Sequence, residues 1–230
     1  MKNVLITVAL LSAMIFSISS CKKDKDEDPT STTGGSTTTD PIQIKLNAGE
    51  TPLSIYNEDN ANYDKLIGKT YQGGLIFYFD ITTGKGLVAA PTDQANQDNK
   101  VTWGCKGTEL GNIITPPIGP SFVAAVAKNQ GLFGGKNNTT EILDKCSTSE
   151  AAKLCGNLTL SGYSDWYLPS MQEVEKLLKE IPQEGSYWTS SQQSANYSWK
   201  VTKLGHSTHP KNFGAKVRAV RQFVEPVTKH

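Results

Sequence analysis

The chain predicts an α+β fold with a mixed antiparallel sheet and short helices. Three observations carry this: β-prone runs stand at both ends of the foldable part, short amphipathic segments lie between them, and those segments bring their own start and stop residues. Strand, helices and strands again departs from the strict alternation of a parallel βαβ repeat. After the N-terminal segments about 180 residues remain, enough for one domain with a proper core, and no internal repeat is visible.

Gly74 to Asp80 and Gly86 to Ala90 are apolar, β-prone runs joined by a Thr-Thr-Gly-Lys turn, a hairpin expected to open the sheet. Ser121 to Gln130 is apolar at Phe122, Val123 and Val126 and stops at Gly131, a short helix. Ser147 and Glu150 have capping-box spacing ahead of Ala151, Ala152 and Leu154, with Gly156 as the stop. Ser170 and Glu173 repeat the device before Met171, Val174, Leu177, Leu178 and Ile181, which follow helical spacing up to Pro182. The last strands are expected at Tyr187 to Ser190, Tyr197 to Thr202 and Lys216 to Phe223, joined by loops of Gly, Ser, Asn and His.

The N-terminus reads as an export signal over residues 1–20. Lys2 supplies the positive start, Val4 to Ile18 the apolar core, and Ile18-Ser19-Ser20-Cys21 a small-residue site ending in cysteine. That ending resembles a bacterial lipobox, which implies cleavage before Cys21 and lipidation of Cys21. The alternative, a membrane-spanning helix, needs about 20 apolar residues, and this run is shorter. Residues 21–45 hold Lys22-Lys23-Asp24-Lys25-Asp26-Glu27-Asp28 and a Thr, Ser, Gly and Pro tract, too polar to offset its ordering entropy and therefore a tether. The lysine-then-acid order resembles the surface-export signal of Bacteroidetes lipoproteins; a generic charged spacer is the alternative. The expected location is the outer membrane, facing outward. The folded domain is expected over residues 46–230, with its core at about 66–224.

Cleavage removes Lys2 and leaves 22 basic against 22 acidic side chains, a balance that argues against nucleic acid as partner. The charge is unevenly placed. Trp199 to His230 holds Lys200, Lys203, Lys211, Lys216, Arg218, Arg221 and Lys229 with one acid, Glu225, and also His206, His209 and His230. Such a strip attracts polyanions in a salt-sensitive way, unless it is only a solvated face. Beyond Cys21, the cysteines are Cys105, Cys146 and Cys155; one bridge and one thiol is the simplest arithmetic. Cys146 with Cys155 is the local pairing, Cys105 with either the alternative.

Seven segments stand out in order: YQGGLIFYFD (Tyr71 to Asp80), GLVAAP (Gly86 to Pro91), Trp103-Gly104-Cys105, GKNNTTEI (Gly135 to Ile142), GYSDWYLPS (Gly162 to Ser170), YWTSS (Tyr187 to Ser191) and VRAVRQF (Val217 to Phe223). Over residues 66–224 the chain resembles the Legionella collagen-like protein C-terminal domain family (DUF1566). The resemblance implies a single domain related to C-type lectins and formylglycine-generating enzymes and, from the founding member, adhesion through sulfated glycans.

Within these segments Asp165, Trp166, Pro169, Trp188, Arg218 and Arg221 are expected to be structural. Trp166 and Trp188 are more readily core than sugar platforms, while Trp199 suits either role. Asp165 is expected to cap its own turn. Arg218 and Arg221, three apart on a strand, should face opposite ways, one in a buried pair with a carboxylate such as Asp165 and the other toward solvent. Residues Asp93 to Asn99 form an oxygen-rich loop without the glycine and terminal glutamate of an EF-hand. His206 and His209, i and i+3 in a loop, lack further ligands, so no metal and no cofactor is expected.

Formylglycine-generating enzymes use a cysteine pair near the end of the fold, and this chain has no cysteine after Cys155. No nucleophile elbow, HExxH or phosphate loop occurs. A carboxylate pair such as Glu173 with Asp165 would need a specific separation to cleave glycosides. The expectation is a non-catalytic surface lipoprotein binding polyanionic or other surface glycans through Trp199, Lys200, Lys203, His206, His209, Lys211 and Lys216. The alternative is an envelope lipoprotein that binds a protein, which buried tryptophans and scattered lysines would favour; a hydrolase is more distant.

Overall fold

The computed structural model describes residues 39–110 and 131–227. Cys21, its signal, the charged part of the tether and the helix expected over Ser121 to Gln130 lie outside the described residues.

Folded structure begins earlier than residue 46. Helix α1 (Pro41–Asn47) starts where Asp40 accepts a hydrogen bond from Gln43 N at 2.9 Å, with Pro41 in the first turn and Ile42 and Leu46 buried. A proline read as tether composition is here a helix-starting residue, whose missing N–H is one the first turn leaves unpaired anyway. Helices α2 (Pro52–Glu58) and α3 (Asn62–Leu66) follow.

The first sheet has the order β1 (Thr70–Tyr71), β2 (Gly74–Asp80), β3 (Lys85–Ala89) and β9 (Val220–Val224), all antiparallel. The expected hairpin is β2–β3, but β1 lies outside it at the edge. Ile76, Val88 and Phe79 face the main core, while Phe77, Leu87 and Ala89 face a second cluster with Tyr167 and Leu177, so the sheet is covered on both faces. That explains why these strands read as near-continuous apolar runs. Phe223 fills the space over Gly86, where a Cβ would stand 2.0 Å from its ring, and stacks on Phe79 at 6.0 Å between centroids.

Strands β4 (Val101–Thr102) and β8 (Gly214–Ala215) form a two-stranded ribbon. Helix α4 (Gly135–Lys145) and helix α5 (Glu150–Gly156) lie beside it. The α5 cap is Ser149 rather than Ser147: its Oγ accepts from Ala152 N and donates to Trp103 O. Glu150 is diverted to β4, accepting from Thr102 N and Oγ1 at 2.9 and 2.8 Å. The disulfide joins Cys105 to Cys146, Cα atoms 5.9 Å apart, and not the local pair. Cys155 is buried and free, because spacing of four places it with Ala151 on the inward face of α5.

Helix α6 (Met171–Glu180) has the expected reciprocal cap: Glu173 N donates to Ser170 Oγ, and Ser170 N donates to Glu173 Oε2 at 2.7 Å. Leu177 enters the cluster under the first sheet, while Met171, Val174 and Leu178 pack on Tyr187 and Val201 of the third sheet. One amphipathic helix thus wedges two sheets apart.

The third sheet, β5 (Tyr187–Gln192), β6 (Tyr197–Thr202) and β7 (Gly205–Pro210), is antiparallel. Its third strand takes the place of an expected loop. Residues 214–220 stitch the layers together: Trp188 N donates to Lys216 O, Gln94 N to Val217 O, Ala90 N to Ala219 O, and Tyr167 exchanges bonds with Val220. The architecture is α+β, as the order of strands and helices implies.

Candidate functional site

The third sheet and its rim carry all seven residues expected to contact a ligand, and the structure separates them. Lys211 is fully buried. Its Nζ donates to Thr108 O and Gln192 Oε1, each at 3.0 Å, and to Cys105 O at 3.4 Å, and it stands 4.5 Å from the Trp103 ring centre. Burial lowers its pKa to about 8, with Glu109 opposing. Lys216 bonds Asp93 Oδ2 at 2.9 Å and Glu184 O at 3.0 Å and lies over Tyr187. Lys200 is buried over the Trp188 ring, and burial, followed by the charge of Lys100, holds its pKa below the usual lysine range. These three lysines are corrections: their long stems cross apolar surface and their ammonium groups are used internally.

The remaining four reach the surface to different degrees. Lys203 is exposed and paired with Glu184, also exposed. His206 is exposed on β7, where Nδ1 bonds Glu175 and the ring meets Trp199 edge-on at 5.3 Å. His209 is half-buried on the same strand, and burial first and Lys200 second lower its pKa. Trp199 is half-buried, and its indole N–H has no acceptor among the described residues. Neither histidine sits in a loop, and among the described residues no three His, Cys, Asp or Glu side chains gather as a metal site.

The motif residues are packed or paired within the fold. Trp166 and Trp188 are buried, as is Trp103, whose indole donates to Thr189 O at 2.7 Å; Pro169 O accepts from Ser190 N at 2.7 Å. Both arginines are buried and paired, so neither faces solvent. Arg221 Nε donates to Asp165 Oδ1, and its guanidinium lies 3.7 Å from the Tyr163 ring centre. Asp165 therefore holds Arg221 instead of capping its own turn. Arg218 donates to Asp93 Oδ1 and Pro91 O, each at 2.8 Å. Asp93, read only as part of an oxygen-rich loop, is the carboxylate that Arg218, Lys216 and Tyr187 share. Gln94 is tied to Val217 and Ala219, and only the far end of that loop closes on itself, through Asn96 and Asn99.

Carboxylates elsewhere are also engaged. Glu173, fully buried, accepts from Ser170 N, Phe133 N and Tyr167 OH, while burial raises its pKa to about 7 against those donors. A groove beside α1 holds Asp40 and Glu58 together. Lys69 and Lys45 respectively bond them, and those contacts lower both pKa values, opposite to the shift a general acid needs.

Exposed apolar groups point to another part of this rim. Among the described residues, Tyr197 (43 %) and Phe213 (57 %) are the exposed aromatic side chains, and both line a shallow cleft of about 350 Å³ with Lys106, Asn196, Pro210 and Asn212. Leu204, at the β6–β7 turn, is 91 % exposed. Sequence reasoning weighed the tryptophans as platforms and passed over Tyr197 and Phe213. The available signal was Phe213 itself, an aromatic between Asn212 and Gly214 in turn-forming sequence.

No known family profile matches the chain, and no curated protein matches it. Among solved structures it is similar to a fimbrial protein from Bacteroides ovatus, with 14% identity and a TM-score of 0.42; the match covers 59% of this chain and 35% of that one.

Proposed function

We propose that the chain is a cell-surface lipoprotein whose C-type-lectin-like domain, of the family it resembles over residues 66–224, is a non-catalytic glycan-binding or adhesion module. The observation that carries this reading is the pairing of Tyr197 and Phe213 in one cleft, when the other large aromatic side chains described are buried or half-buried. Exposed rings that share one concave lining mark a candidate ligand groove, and an aromatic face suits the apolar face of a sugar. The basic strip is not part of the proposal, because Lys200, Lys211 and Lys216 are consumed inside the fold.

A protein partner in the envelope is the second reading. It is favoured by the burial of Trp103, Trp166 and Trp188, by the scattering of the lysines, and by Leu204 at the tip of its hairpin. A glycan array probed with the full chain in detergent, at two salt concentrations and with calcium or a chelator, separates the two. Reproducible glycan binding supports the module; a blank array in every arm overturns it and leaves the protein partner.

A further inference from the structure

We propose that the Tyr197–Phe213 cleft is a preformed saccharide site that seats a pyranose ring by stacking and prefers one carrying a carboxylate, as in a uronic acid. This rests on the glycan-binding reading and assigns it to residues outside the basic strip.

The cleft walls are held by bonds that no ligand has to create. Tyr197 pairs with Pro210 in the β6–β7 ladder, Lys211 N donates to Asn196 O, and Phe213 N donates to Pro210 O, each at 3.0 Å. Lys106 sits on a loop pinned three ways: by the Cys105–Cys146 bond, by Gly107 N to Ala195 O at 2.9 Å, and by Lys211 Nζ to Cys105 O and Thr108 O. Buried Lys211 thus braces both sides of the cleft from behind. Pre-organisation of this kind lowers the ordering cost of binding.

The lining is mixed in the way sugar recognition requires. Two rings offer apolar faces, and the carboxamides of Asn196 and Asn212 each offer a donor and an acceptor to vicinal hydroxyls. Among the described residues the ammonium of Lys106 is the only charge in the lining, and none of these three side chains is bonded to another. Glu109 is on the same loop but does not line the cleft. The volume lies at the small end of the range of small-molecule sites, enough for one or two sugar rings.

The test is calorimetric titration of the full chain in detergent with hexagalacturonate and with cellohexaose, its neutral counterpart. Hexagalacturonate should bind about tenfold more tightly. Lys106→Gln should abolish that preference, and Tyr197→Ala or Phe213→Ala should weaken both ligands about tenfold. Because both rings are about half exposed, these variants should lose no more than a few degrees of unfolding midpoint, and binding is read where they remain folded. Array glycans that bind the ring variants as well as wild type would overturn the cleft and leave the glycan module standing. Equal affinity for the two hexamers would overturn the carboxylate preference, and a chain that binds neither them nor any array glycan would overturn cleft and module together.

Discussion

Lys211 and Lys203 differ by eight positions and by almost everything that decides a lysine's role. Truncating Lys211 to Ala strips three oxygens of their donor, and the two that are buried, Cys105 O and Gln192 Oε1, each cost about 1–3 kcal/mol when left unpaired. Its loss should lower unfolding stability by at least about 2 kcal/mol in urea titrations, whereas Lys203→Ala, which removes an exposed pair, should change it by less than about 1 kcal/mol. A combined alanine change at Lys203, Lys211 and Lys216 would therefore report on folding before it reported on salt-dependent binding. Glu173 gives a pH signature. Its folded pKa of about 7 lies above the ordinary 4.5, so between those values the folded state holds more proton than the unfolded state, and stability falls as pH rises through that window. Glu173→Gln should be less stable throughout, since its amide N–H₂ meets donors, but should lose the extra slope between pH 4.5 and 7. Equal slopes in both proteins would remove Glu173 as the cause. Residue roles were legible where a side chain's type restricts its options: two arginines in a neutral chain, with Asp165 correctly foreseen as a partner for one. Lysine burial was not legible, because a lysine's reach hides which end of it the fold uses.

Among the elements, α6 was readable because cap, apolar period and stop agree over one short segment. Strand β7 was not: Gly-His-Ser-Thr-His-Pro has no apolar face, and the six residues it pairs with on β6 are what make it a strand. The same contrast applies to α1, whose two inward residues are too few to show a period. The disulfide was open in sequence because its geometry depends on how α4 meets the β4 end, not on spacing. It closes a loop with a sequence separation of 41, worth about 4 kcal/mol on chain-entropy grounds. The double variant Cys105→Ala, Cys146→Ala should lose a comparable amount in chemical denaturation. It should also bind sugar more weakly than its remaining folded fraction explains, because the Lys106 loop loses one of its three anchors. A loss below about 1 kcal/mol would mean that the other two anchors already hold the loop.

Across the whole molecule, near-neutral charge conceals a division of labour. The cations that appear in sequence as a strip run through residues 200–221 because that stretch crosses the third sheet, the ribbon and the first sheet in turn, and at each crossing it meets a carboxylate, carbonyl or ring. Most of that linear cluster of charge is thus drawn into the interior, Lys203 and His206 staying exposed, while the cleft lining is aromatic and carboxamide with the one ammonium of Lys106 among the described residues. The α+β class was legible from element order alone. The location of the proposed binding surface was not, since it depends on β6, the end of β7 and the turn after it bringing Tyr197 and Phe213 into one lining. The most direct measurement is glycan binding by Tyr197→Ala compared with Lys203→Ala, each against wild type on the same array. The account predicts loss of signal in the tyrosine variant and retention in the lysine variant; retention in the first with loss in the second would contradict it and return the site to the exposed cations.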